Sequence, residues 1–216
     1  MLIDVALPPT CAGCGVEGEA LCDACRAPFR DGLARRVGVP IGLPSDVPPP
    51  LLQLEWCAPF DGPVRRAVHA LKYSGERRLA AVLGGAVAER WRIAGAGGDL
   101  FVPVPVHADR ARERGFDQAV LIAEEAAARL GLPCAPILVR HRATVAQFHL
   151  DRPERAGNVA GAFSPAPGAP PRALVGRWPI LVDDVATTGS TLGACARALL
   201  AAGAVGVSAV AVARER

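Results

Sequence analysis

The chain has 216 residues, with 24 Lys and Arg against 21 Asp and Glu and a net charge of +3, too near balance for a strongly basic nucleic-acid binder. Half of the residues are apolar and only 5% aromatic, so a core must be built mainly from Ala, Val and Leu, and the length suits one globular domain with a small appendage. No run approaches the roughly 18 apolar residues of a membrane span, and "MLIDVALPPTCAGC" has neither the basic region nor the apolar run of a signal peptide, which leaves a cytoplasmic protein as the expectation.

The first element is a cysteine module, residues 1–36. Cys11, Cys14, Cys22 and Cys25 stand in C-x2-C-x7-C-x2-C spacing, the pattern of a zinc ribbon or knuckle in which two turns offer four thiolates to one tetrahedral ion. Four thiolates leave no open position, so the zinc is structural, and so short a module folds on metal binding. Seven cysteines in all make an odd total, which argues against a disulfide framework. Cys57, Cys134 and Cys195 sit in apolar stretches and read as small core residues.

Residues 37–50 are Pro/Gly-rich and form a linker; residues 51–216 are the main domain. Within it "LLQLEWCAPF" is strand-like, and "GPVRRAVHALKYS" is helical with Pro63 in the first turn, where proline is tolerated. "RRLAAVLGGAVAERW" is a second helix and "DLFVPVPVH" a short strand. Arg110, Arg112 and Arg114 crowd behind that strand, either as a solvated basic turn or as donors to an anion. "DQAVLIAEEAAARLG" is an amphipathic helix stopped by Gly131, and "PILVRHR" is again strand-like. Residues 141–176 are basic and then Pro/Gly-rich, as in a long mobile excursion. "WPILVDD", "STLGACARALLAAG" and "AVGVSAVAVAR" follow as strand, helix and strand. Strands alternating with helices imply an α/β fold, a mainly parallel sheet flanked by helices, with ligands bound beyond the carboxyl ends of the strands.

At one such end lies "ILVDDVATTGSTLGA". Asp183 and Asp184 close the strand, and a loop of small and hydroxyl residues leads into a helix. Backbone N–H groups near that helix start, with the hydroxyls of Thr187, Thr188, Ser190 and Thr191, make a phosphate cradle that Gly189 lets a ligand approach closely. The two acids cannot serve a phosphate; they accept hydrogen bonds from neighbouring hydroxyls or help to hold a hydrated Mg2+. A ribose 5-phosphate satisfies both halves.

The stretch resembles the 5-phosphoribosyl 1-diphosphate (PRPP) signature of type I phosphoribosyltransferases. That resemblance implies the type I phosphoribosyltransferase fold, Asp183 and Asp184 on the ribose hydroxyls, and Ala186, Thr187, Thr188, Gly189, Ser190 and Thr191 around the 5-phosphate. "FVPVPVHADRARERGFDQAVLIA", "LKYSG" and "RATVAQFHLDRPERAGNVAGAF", with the leading cysteines, are similar in order to the bacterial competence protein F (ComF) family. The likeness implies that Arg142, Thr144, Gln147, Arg152, Arg155 and Asn158 belong to a mobile loop over the site, and that Lys72, with the arginines above, faces pyrophosphate. Lys72 also suits the C-terminal cap of its own helix. Asp117 stands where that family usually has Asn, and either weakens an anion contact or caps the helix that follows.

Two functions follow as expectations. One is Mg2+-dependent transfer of ribose 5-phosphate from PRPP to an acceptor the sequence does not name, with a role in DNA uptake during natural transformation. The other is a non-catalytic, PRPP-responsive module that binds single-stranded DNA or a competence helicase.

Overall fold

The computed structural model describes residues 8–35, 47–94, 97–106, 112–113, 115–141, 161–168 and 172–215. In chain order these form α1 (Asp23–Leu33), β1 (Gln53–Pro59), α2 (Gly62–Tyr73), α3 (Leu79–Ala94), β2 (Leu100–Pro103), α4 (Gln118–Leu130), β3 (Leu138–Arg140), β4 (Phe163–Pro165), β5 (Pro179–Ala186), α5 (Ser190–Ala201) and β6 (Ser208–Arg214).

Strands β1, β6, β5 and β2 lie side by side in that order, all parallel. Their side chains alternate between two apolar layers. Phe101, Ile180, Val182, Val210 and Val212 face a cluster shared with α1 to α4, whereas Val102, Leu181, Ala209 and Ala211 face one shared with α5 and the antiparallel β3–β4 ribbon. Coverage on both faces explains why these strands read as continuous apolar runs.

The helices pack closely because their contact residues are small. A Cβ on Gly84 of α3 would stand 2.8 Å from the Ile122 carbonyl oxygen of α4, so the two helices meet backbone to backbone and few aromatic rings are needed between them. Asp117 caps α4 by accepting the Ala119 N–H at 2.9 Å, and Gly131, at φ 67°, ends it.

The structure adds one element and corrects two expectations. The cysteine module contains a helix, α1, that its sequence hides behind Pro28, ordinarily a breaker of helix interiors. Residues 163–165, assigned to the excursion, form β4 against β3. Strand β5 runs on to Ala186, so Asp183 lies inside the ladder, registered with Ala211, and not at its end.

The module packs as part of the main core. Cys11, Leu21, Cys25 and Phe29 share one buried cluster with Cys57, Val64, Val68 and Leu71. Beside it, buried Arg90 pairs with Glu55 of β1 at 2.5 Å and donates to the Gly32 and Arg35 carbonyls at the end of α1, at 3.3 and 3.1 Å. The Glu55 carboxylate also accepts from Gln53 Nε2, so a charge pair that would be costly without partners is hydrogen-bonded on both sides.

Of the lone cysteines, Cys57 and Cys195 are fully enclosed and Cys134 is half-buried. Burial pushes their thiols up, Cys57 to about 12 and Cys134 to about 11. Among the described residues no helix is long and apolar enough to cross a membrane.

Candidate phosphosugar site

At the carboxyl edge of the sheet a cavity of about 370 Å3 opens between the end of β5, the segment after β2, and α2. Asp183, Asp184, Thr187, Thr191 and Lys72 all line it.

Asp184 is 5% exposed and held from two sides. Lys72 Nζ, reaching in from the last turn of α2, lies 2.9 Å from one carboxylate oxygen, and Gln118 Nε2, at the start of α4, donates to the other at 3.0 Å. The Asp183 carboxylate accepts the backbone N–H of Asp184 at 2.8 Å. Burial, and then the Asp184 carboxylate beside it, push Asp183 up to about 8, against the pull of Lys72. The acid pair thus has one lysine beside it, bonded to Asp184.

Asp117 ties the second wall of the site to its own helix: Oδ1 accepts from Ala119 and Oδ2 from Val106, the latter at 3.2 Å. Of its two expected roles, the structure shows the cap. Burial raises its carboxyl, the backbone donors pull the other way, and Asp184 adds to the rise.

The loop after β5 closes on itself. Thr188 Oγ1 and Ser190 Oγ are 2.7 Å apart, and the Ser190 N–H donates to Thr188 Oγ1 at 3.3 Å. Gly189 precedes α5 at φ 76° with no side-chain cap on the helix, leaving the first turn of N–H groups without intrahelical partners. A Cβ on Gly189 would stand 2.5 Å from Pro48, and one on Gly193 would stand 2.9 Å from the Pro49 carbonyl. These glycines therefore admit the end of the proline segment against the loop and the first turn of α5.

Arg112 is exposed and does not line the cavity. Arg110, Arg114, Arg142, Thr144, Gln147, Arg152, Arg155 and Asn158 lie outside the described residues, as does most of the linker. The structure adds lining residues that the sequence reading passed over: Gln118, Arg140, Phe60, His69, Tyr73 and Glu215. His69 and Tyr73 had a signal, since they sit three residues before and one after Lys72, on the same helix turn.

The sulfurs of Cys11, Cys14, Cys22 and Cys25 all lie within 4.8 Å of one another, Cys14 and Cys22 at 3.6 Å. Zn–S bonds of 2.3 Å in a tetrahedron require about 3.8 Å between sulfurs, so the cluster fits zinc. Burial alone would raise the Cys11 thiol, yet N–H donors of Cys22, Cys14 and Gly13 bring it down to about 6. Burial and the neighbouring sulfurs drive Cys25 up to about 12. The Gly13 carbonyl accepts from Arg66 Nε of α2 at 2.6 Å, which seats the module on the helix that carries Lys72.

No protein-family model matches the chain. It is 31% identical over 204 residues to the DNA utilization protein YhgH of Salmonella typhi, covering 87% of each chain. The Escherichia coli K12 protein of the same name is 31% identical over 195 residues, 88% of this chain and 82% of that one. Competence protein F of Haemophilus influenzae is 36% identical over 95 residues, 44% of this chain and 41% of that one. Among solved structures, the chain aligns with glutamine phosphoribosylpyrophosphate amidotransferase from B. subtilis, complexed with ADP and GMP, at TM-score 0.40 and 21% identity. That alignment covers 61% of this chain and spans a quarter of the length of the solved one.

Proposed function

Because the chain belongs to the family of DNA utilization protein YhgH and competence protein F, we propose that the cavity binds PRPP and that the protein transfers ribose 5-phosphate to an acceptor in the service of DNA uptake. The observation that carries this is the pair Asp183 and Asp184 facing a cavity beside the start of α5, with Asp184 fixed by Lys72 and Gln118. A sugar phosphate offers hydroxyls to carboxylates and its phosphate to the loop Ala186–Thr191, where hydroxyls and helix N–H groups gather.

The reaction breaks the bond between the anomeric carbon and the pyrophosphate oxygen. Pyrophosphate leaves with the electron pair, and the acceptor bonds to that carbon as it loses a proton. Asp183 and Asp184 hold the ribose while positive charge builds on it, and preorganised charge of this kind lowers the barrier. Lys72, already beside Asp184, supplies a cation on the leaving-group side, and Arg110, Arg112 and Arg114 are the further candidates there. The loop with Arg142, Thr144, Gln147, Arg152, Arg155 and Asn158 excludes water from the reacting carbon.

The acid pair would hold a divalent cation with the Asp183 proton, retained up to about pH 8, given up to solvent. Mg2+, when bound with PRPP, neutralises charge on the departing pyrophosphate. The four cysteines hold zinc as a staple of the fold. Single-stranded DNA and a competence helicase are the proposed partners in uptake.

Phosphorus NMR of PRPP with Mg2+ tests this. The PRPP signals broaden with the native protein, and Asp183→Asn combined with Asp184→Asn weakens binding at least tenfold; unchanged affinity in that variant refutes the site. Pyrophosphate release on adding an acceptor establishes transfer, whereas binding without release under any addition identifies the PRPP-responsive module instead.

A further inference from the structure

We propose that the rim of this cavity is a seat for a planar, amino-bearing nitrogen heterocycle, stacked on Tyr73 and hydrogen-bonded by Glu215. The inference rests on the cavity being the phosphosugar site and names the chemical class of what binds beside the sugar.

Three rings stand in a row at the rim. Phe60 and His69 have centroids 5.8 Å apart in a tilted pair, and His69 and Tyr73 stand 5.6 Å apart, edge to face. All three line the cavity. In a chain that is 5% aromatic, its one tyrosine is 70% exposed here, and His69 is exposed beside it. Rings used for packing are put inside; rings held in a fixed array at the mouth of a polar cavity offer a stacking face, and every heteroaromatic base has a π-face to meet it.

The backbone brings a carboxylate to the same place. The Phe60 N–H donates to the Arg214 carbonyl at 2.7 Å, and the Glu215 N–H donates to the Ala186 carbonyl at 3.0 Å. Glu215 therefore follows directly on the residue bonded to Phe60, and it lines the cavity as well. A carboxylate accepts from an exocyclic amino group, as on cytosine or guanine, whereas the N3–H of thymine is flanked by two carbonyl oxygens that repel it. The seat is joined to the acid pair through one turn of α2, because Lys72, between His69 and Tyr73, is the residue bonded to Asp184.

Such a ring comes either as a free base or as an unpaired base in a DNA strand, and the test separates the two. Saturation-transfer NMR is recorded on the full chain with cytosine, with thymine, and with a short single-stranded oligodeoxynucleotide, each with and without PRPP and Mg2+. Transfer to ring protons is expected for the native protein and for Tyr73→Phe. With Tyr73→Ala it falls roughly five- to a hundredfold. Glu215→Gln weakens cytosine more than thymine. Response to cytosine alone identifies a free base as the occupant, and response to the oligonucleotide alone identifies a base within a strand. Ring binding undiminished in Tyr73→Ala, or no ring signal from the native protein under any condition, overturns the proposal. Failure of PRPP to bind the native protein refutes the phosphosugar site, and the spectra taken without PRPP still decide the ring seat.

Discussion

Asp183 is held between opposing demands. Its carboxyl lies beside Asp184 in an enclosed wall of the cavity, and its proton is retained up to about pH 8, whereas an unfolded aspartate releases its proton near 3.9. Between those values the folded state binds a proton that the unfolded state does not, so stability falls as pH rises through the window. Asp183→Asn removes that dependence. Its melting temperature is expected to exceed the native value by on the order of 5 °C at pH 8, with the gap closing below pH 4. Thermal melts at pH 4, 6 and 8 check it, and a gap that does not change with pH refutes it. At this scale the sequence shows residues whose spacing is itself the chemistry, the paired acids and the four cysteines. Gln118, Glu215 and the ring row are legible only in part, because each acquires its role from a partner far along the chain: Gln118 from Asp184, and Glu215 from Ala186 and Phe60.

At the scale of elements, α2 has two jobs. Near one end Pro63 and Arg66 receive the cysteine turn, and at the other Lys72 enters the cavity. Helix α1 is seated with as little tolerance, since a methyl group on Gly32 would collide with the Cys57 carbonyl of β1. Backbone cannot move aside as a side chain does, so Gly32→Ala is expected to destabilise the fold by about 2 kcal/mol, in the range of overpacking, as read by urea unfolding. A value within about 0.5 kcal/mol of native refutes this account of the contact. The main elements were legible from periodicity, because β5, β6 and α4 follow their patterns closely. Helix α1 was not, since Pro28 and the short cysteine spacing mask it, and β4 is too short to show a period.

For the whole molecule, the shared cluster of Cys11, Leu21, Cys25 and Phe29 with β1 and α2 makes metal binding a property of the full core. Zinc removal by a strong chelator is expected to lower the melting temperature of the single cooperative transition by about 10 °C or more, followed by calorimetry. A main transition that stays in place while a small separate one disappears refutes the shared core. Parallel pairing under helices followed from the alternation of strands and helices. The order β1–β6–β5–β2 did not, because side-chain pattern tells a strand which face is buried and says nothing of which neighbour it takes.

That order also sets a timetable. Among the described residues strand β1 has one neighbour in the sheet, β6, and Gln53 registers with Ser208. At 5–20 residues per second, a ribosome exposes β1 on the order of 10 s before its partner exists. For that interval Leu54 and Trp56 have no second strand beside them, and the carboxyl edge that forms the cavity lacks its middle. Assembly of the site thus waits for β6, and until that strand arrives the nascent chain presents an unpaired apolar edge.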